Sequence, residues 1–206
     1  LITKMSKSRK IFHLSHKNNF NSIIKEGLLS NAELARRNIK YKDISYHSVQ
    51  LKRNKMLSIN EEEYHLYRFI PFFYREITPM LWAKKNELQN LFLIELSLEK
   101  VLANKNITYC FTDGNAAKYE TEFFLDWQKY SHRIPWKLIE KPGAWWESQR
   151  SAVSSEFLIL NKVDISLIER VIVMLPSESN FYRQKLKEFN LEKSINVEVK
   201  RGAFPS

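Results

Sequence analysis

Hydrophobic positions along this chain come in short runs and short helical spacings, with no long stretch of either kind. Residues 11–14 form a four-residue apolar segment that carries His13 and reads as the first strand. Phe20, Ile23 and Ile24 then fall at i, i+3, i+4, the period of a buried helical face. Asn18 or Asn19 is placed to cap that helix, and Gly27 to end it. Residues 31–37 suggest another helical turn. Residues 41–48 and 57–63 are polar and read as loops, the second of them acidic. Residues 64–73 are apolar and aromatic but interrupted by Pro71, with Pro79 soon after. A strand edge or an irregular pocket wall suits that spacing better than a helix does.

Further on, 92–96 is a strand candidate followed by a helical turn over 97–102. Residues 107–112 are β-like and end in Asp113-Gly114, a strong turn pair. The pattern predicts a helix over 116–126, an irregular surface segment over 134–139, and a buried strand over 156–160. A turn at 165–168 precedes a strand over 171–175, a basic amphipathic helix over 180–190 and a terminal strand over 195–199. Strands and helices are mixed without a repeat, and no Gly/Ser- or Pro-rich linker divides them. The expected fold class is therefore α+β, with a flexible basic arm at 1–10 and a single domain over 11–206. The chain does not begin with Met, so residues 1–4 need not be native.

Composition narrows the partners. Lys and Arg total 33 against 23 acidic residues, a formal net charge of +10. That imbalance favours a polyanion, nucleic acid or an acidic surface. The single cysteine, Cys110, excludes an internal disulfide and a cysteine metal cluster. Lying between Tyr109 and Phe111, it reads as a small buried thiol rather than a nucleophile. His13 and His16 are three apart, yet a third histidine is remote, so no metal is expected. No apolar run approaches the ~20 residues of a membrane span, and no signal-peptide pattern is visible. A cytoplasmic protein without a membrane partner is the expectation.

The chemistry-bearing stretch is 150–160. Glu156 opens the apolar run Phe157-Leu-Ile-Leu160, and a carboxylate at the lip of a buried strand is costly unless water, a partner or a ligand satisfies it. Trp145, Trp146, Gln149, Arg150 and Ser154 precede it. The tryptophans suit stacking on an unpaired base and equally suit plugging a core. Glu156 by itself also fits a surface residue capping an ordinary strand. His13 alone is most often a hydrogen-bonded core histidine, and Arg53 alone a solvated charge. Walker, G-x-G-x-x-G, H-E-x-x-H and G-x-S-x-G patterns are absent.

Taken in order, several blocks resemble the DarT family of toxin ADP-ribosyltransferases, which modify bases in DNA. They are Ile11-Phe-His-Leu-Ser-His-Lys-Asn-Asn-Phe20 with Ile23-Ile-Lys-Glu-Gly-Leu-Leu-Ser30, and Asp43-Ile with Val49-Gln-Leu-Lys-Arg53. Ile70-Pro-Phe-Phe-Tyr74 with Thr78-Pro-Met-Leu81, Phe111-Thr-Asp-Gly-Asn-Ala-Ala117 and Ser155-Glu-Phe-Leu158 complete the set. The resemblance implies an ADP-ribosyltransferase-like fold: two small, roughly perpendicular sheets with flanking helices around an NAD cleft. It implies Glu156 and Arg53 as catalytic residues. His13, Leu14, Ser15, Gly27, Arg53 and Phe72 would bind NAD as co-substrate, and Trp145, Trp146, Gln149, Arg150 and Ser154 would present the target base. The acceptor it implies is single-stranded DNA, at thymidine or guanosine, with RNA and a non-enzymatic nucleic-acid-binding module as the alternatives. A cognate antitoxin, macrodomain-type or another ADP-ribosyl hydrolase, is also implied. Two blocks depart from the family pattern. Arg150-Ser-Ala-Val-Ser-Ser replaces a tighter basic run before Glu156, and residues 64–69 lack a His-Asp pair. Both departures bear on the choice of base.

Overall fold

A computed structural model describes residues 8–45, 55–59, 61–143 and 145–205. The longest pairing sets the frame. β1 (Lys10–His16) runs antiparallel to β6 (Leu91–Ser97) over seven consecutive partners, from Lys10↔Ser97 to His16↔Leu91. β6 is buried at every position, as a strand covered on both faces must be. β11 (Ile168–Val173) lies antiparallel on its far side, and β12 (Asn196–Val199) runs parallel to β11.

Four more strands continue the sheet: β5 (Phe69–Phe73), β9 (Glu156–Leu160), β7 (Tyr109–Thr112) and β8 (Phe123–Phe124). The full order is β12-β11-β6-β1-β5-β9-β7-β8. The two four-strand halves meet at a seam of one residue pair, Phe12↔Phe73. Two small two-stranded sheets stand apart. β2 (Leu28–Leu29) pairs with β10 (Lys162–Val163), and β3 (Met56–Ile59) with β4 (Glu62–His65).

The seam is short for a chemical reason. The carbonyl of Pro71 faces β1, because it accepts a hydrogen bond from His13 Nδ1 at 2.8 Å. In a strand a residue's N–H and C=O point the same way, and proline has no N–H to offer. β5 therefore cannot continue its ladder towards β1 past Pro71, and the two strands splay. On the other side β5 stays paired to β9 for all five residues. Pro71 thus occupies an interior strand yet behaves as proline does at a sheet edge, in keeping with the pocket wall expected from its spacing.

Helices seal the faces. α1 (Phe20–Glu26) and α8 (Pro176–Glu188) pack on β6 through Phe20, Phe92 and Tyr182, whose ring centroids lie 4.8–5.4 Å apart. Each ring so buried contributes roughly 1.5–3 kcal/mol. On the opposite face Leu14, Leu81, Leu93, Ile172 and Phe204 form a second cluster. α2 (Asn31–Arg36), α3 (Pro79–Ala83), α4 (Leu98–Ala103), α5 (Trp127–Tyr130), α6 (Trp136–Ile139) and α7 (Arg150–Val153) are short connectors. Thr78 caps α3, accepting from Leu81 N at 3.2 Å with Pro79 in the first turn. Of the expected basic arm, residues 8–10 are described and tied down. Ser8 Oγ and Arg9 N donate to Glu99, and Lys10 belongs to β1.

Four elements differ from the sequence expectation. The helix expected over 116–126 is a loop followed by β8. Short polar side chains there bond the backbone instead, and Asp126 caps α5 by accepting from Lys129 N at 3.0 Å. The expected acidic loop at 57–63 is the β3–β4 hairpin, turned at Glu61 with φ +69°. The expected irregular segment at 134–139 contains α6, with Ile134 and Ile139 buried. The last helix starts at Pro176, before the first apolar residue of its inward face, since proline is favoured in a first turn.

Candidate active site

The splay between β1 and β5 opens a cleft of about 160 Å³. His13, Leu14 and Ser15 line it from β1, and Phe69, Ile70, Pro71 and Phe73 from β5. Since Pro71 offers only an acceptor, His13 Nδ1 carries the proton in that bond. Gly27 closes the floor with φ +79°, where a Cβ would meet Val163 O at 2.5 Å. Only glycine fits that turn.

The roof is the segment 41–45. Asn19 holds it with two bonds, Nδ2 to Lys42 O at 2.9 Å and Lys42 N to Oδ1 at 2.7 Å. Asp43 Oδ1 accepts from Ser45 N and Oγ at 2.7 and 2.6 Å. His16 supports the same corner, its Nδ1 accepting from Asn18 N at 3.1 Å. Burial, then the Lys42 charge, lower its pKa, with Glu87 opposing.

Glu156 begins β9 and is 1% exposed. It lies in register with Phe73, which in turn is opposite Phe12. At roughly 4.8 Å per strand, Glu156 is about 10 Å across the sheet from the β1 residue beside His13. The carboxylate is outside the cleft lining described above, one strand behind Phe73. Its Oε1 accepts from Ala116 N at 3.0 Å. The β7–β9 ladder ends at Phe111↔Phe157, and one step on the Thr112 hydroxyl takes over. Thr112 Oγ1 accepts from Glu156 N at 2.9 Å and donates to Gly114 O at 2.7 Å. Asn115 N donates to Ser151 Oγ at 3.2 Å, and a Cβ at Gly114 would meet that oxygen at 2.8 Å. The turn after β7 and helix α7 are thus knitted around the acid. Behind it, the Tyr74 hydroxyl is buried with no hydrogen-bond partner among the described residues. Burial holds its pKa well above the ordinary value, with Cys110 and Glu156 adding to the effect, so it stays protonated.

The stretch expected to present the base is part exposed and part buried. Trp146 is 75% exposed. Trp145 is half-buried, with the Arg75 guanidinium 5.1 Å from its ring centroid. Gln149 Oε1 accepts from Trp146 N at 3.1 Å, and Arg150 pairs with Glu147 at 3.0 Å. Ser154 is buried, away from solvent. Phe72 has no exposed surface and does not line the cleft. Its ring backs His13, with centroids 5.6 Å apart. Arg53 lies outside the described residues. No group of three or more metal-ligating side chains occurs among the described residues. Sequence reasoning missed Thr112, Ala116 and Ser151 as the supports of Glu156. The Asp113-Gly114 turn was the available signal, masked by the helix expected just after it.

Solved structures share this frame. The Thermus sp. 2.9 DarT in complex with ADP-ribosylated ssDNA superposes with a TM-score of 0.86 at 20% identity, covering 97% of this chain and 98% of that one. The same protein in complex with NAD+ gives 0.82 at 19% identity, covering 97% and 99%. The fold is the α+β fold of the DarT ADP-ribosyltransferases. In sequence, a DNA ADP-ribosyl transferase–DNA ADP-ribosyl glycohydrolase fusion protein of Thermosipho africanus is 30% identical over 118 residues. That alignment takes in 56% of this chain and 29% of the fusion. The model of the family described as ssDNA thymidine ADP-ribosyltransferase, DarT, matches residues 12–204, and the chain belongs to that family.

Proposed function

We propose that this chain is a toxin that transfers ADP-ribose from NAD to thymidine in single-stranded DNA and releases nicotinamide. The family match over 12–204 carries the reading. The split-sheet cleft supports it. A flat carboxamide ring and a ribose suit a lining that mixes apolar Leu14, Ile23 and Ile70 with polar His13, Ser15 and Asn19. In this reading NAD supplies the glycosidic carbon that becomes electron-poor as nicotinamide departs.

The chain's own residues then divide the work. His13, oriented by Pro71 O, accepts from a ribose hydroxyl without itself being charged. Leu14, Ser15 and Gly27 shape the floor. The Glu156 carboxylate, fixed by Ala116 N–H, stabilises developing positive charge and takes the proton released by the attacking base. Arg53 contributes a planar donor fork for pyrophosphate or for the acid. Trp145, Trp146, Gln149 and Arg150 hold the acceptor strand around its target base, and Ser154 and Phe72 act from within the packing. The unit that carries these residues is a single domain over 11–206, in the cytoplasm, where NAD is at hand. The fusion of transferase and glycohydrolase in Thermosipho supports an ADP-ribosyl hydrolase as the antitoxin partner here.

The test is incubation with NAD and oligonucleotides that differ only in containing thymidine, guanosine or uridine. One ADP-ribosyl mass gain on the thymidine strand is expected. No gain on any strand overturns the reading. A gain confined to guanosine or to RNA keeps the chemistry and replaces the acceptor.

A further inference from the structure

Helix α3 separates the cleft from a second hollow. Met80 lines the cleft, whereas Pro79, Trp82 and Ala83 line an open groove of about 380 Å³ on the other side. Lys85 continues that wall. The opposite wall is Trp145, Glu147 and Arg150, on the segment that runs through α7 into Glu156. The size lies within the range of ligand pockets, roughly 300–1,000 Å³. Both indoles are half-buried, so each ring is anchored and still offers surface. Trp145 is further fixed by Arg75, which stacks on it and donates to Gly143 O at 3.4 Å. Lys85 and Arg150 are exposed. The one carboxylate on the lining, Glu147, is already engaged by Arg150 at 3.0 Å. An exposed ion pair of this kind is held weakly, so Arg150 can turn to a phosphate at little cost.

We propose that this groove is a flanking-nucleotide subsite. It takes the base next to the target on Trp82 and Trp145, and the connecting phosphate on Lys85 and Arg150. Two indoles and two cations on one open groove match single-stranded nucleic acid, which binds by base stacking over a basic track. The net charge of +10 points to the same partner class. The inference rests on the acceptor being a single strand, and it adds where the strand runs. It passes along α3, on the side of that helix away from the cleft.

The experiment uses the full chain and a fluorescent thymidine-containing 12-mer. Its anisotropy is measured with wild type, Trp82→Ala, Trp82→Phe and Lys85→Gln across a salt series. Trp82→Ala is expected to weaken binding by about 5- to 100-fold, with Trp82→Phe between it and wild type. Lys85→Gln should flatten the log–log salt dependence by about 0.7. In transfer assays the KM for the oligonucleotide should rise while the KM for NAD stays put. Should Trp82→Ala fail to fold, Trp82→Phe and the exposed Lys85→Gln still decide. Binding and salt slope unchanged in Lys85→Gln and the folded Trp82 variants overturn the subsite and leave the groove to a protein partner. Because binding is read without catalysis, wild type that binds but transfers nothing counts against the proposed activity and not against the groove.

Discussion

The two halves of the sheet are held together in different ways. In β12-β11-β6-β1 the ladder is long and charges cross it. Arg170 reaches Glu95 at 2.8 Å and Glu198 at 2.7 Å, and Lys10 reaches Glu169 at 2.6 Å. In β5-β9-β7-β8 the ladder gives out at both places where chemistry is expected. Pro71 stops it towards β1, and Thr112 replaces it beside Glu156. The first half is a continuous ladder tied by ion pairs. The second half spends its pairing potential on shaping a cleft and aiming a carboxylate. A site is built where regular hydrogen bonding is handed to side chains.

Changing the aimed group itself should do the most. Glu156→Gln is expected to lower transfer by 100-fold or more, about 2.7 kcal/mol, with the melting temperature nearly unchanged. Single-turnover rates with a thymidine oligonucleotide measure it, and a near-normal rate would move the acid role elsewhere. Next comes the cleft floor. Gly27→Ala forces a Cβ against a backbone carbonyl at positive φ and should cost about 2–3 kcal/mol, read by urea denaturation. Thr112→Val removes the acceptor for the buried Glu156 N–H and should cost about 1–3 kcal/mol. Asn196→Val, at an exposed residue of β12 in the supporting half, should cost far less. If Thr112→Val is equally mild, the hand-over from ladder to hydroxyl is not what holds β9.

The smallest expected effect is a pH dependence at the roof. His16 has a folded pKa below its ordinary 6.5, so the folded state favours the neutral ring. Its stabilising contribution is complete above pH 6.5 and is lost as pH falls from there through the folded value. Protonated Nδ1 can no longer accept from Asn18 N, and it faces the Lys42 charge. Wild type should therefore lose some stability between pH 7.5 and 5.5 that His16→Asn does not lose, the smallest of these effects. Parallel melting curves at the two pH values compare them.

The supporting half was the legible one. Residues 11–14 and 92–96 are apolar runs on its strands, and Phe20, Ile23 and Ile24 with Gly27 spell a helix and its stop. Each of these follows from burial, which sequence records directly. The loop around Glu156 was not legible. Thr112 and Ser151 act by bonding backbone groups far away in sequence, the N–H groups of Glu156 and Asn115, and no local period marks that role. The apolar Phe123, Phe124 and Trp127 beside them mimicked a helical face. The β3–β4 hairpin was missed because Glu62 and Glu63 are adjacent and both exposed in β4, which hides a two-residue alternation. Of the expected site residues, the structure gathers His13, Leu14, Ser15 and Gly27 around one cleft and sets Glu156 one strand behind it. Phe72 and Ser154 lie inside the packing.

Where β1 and β5 part, successive residues of 13–15 still alternate in direction, so at least one turns its own N–H and C=O towards the gap. Such groups need a counterpart from water or from whatever enters. Recognition written in main-chain atoms survives most codon changes, and an alanine scan of this wall would under-count it. Amide-to-ester replacement at individual positions is the way to make that hidden contribution visible.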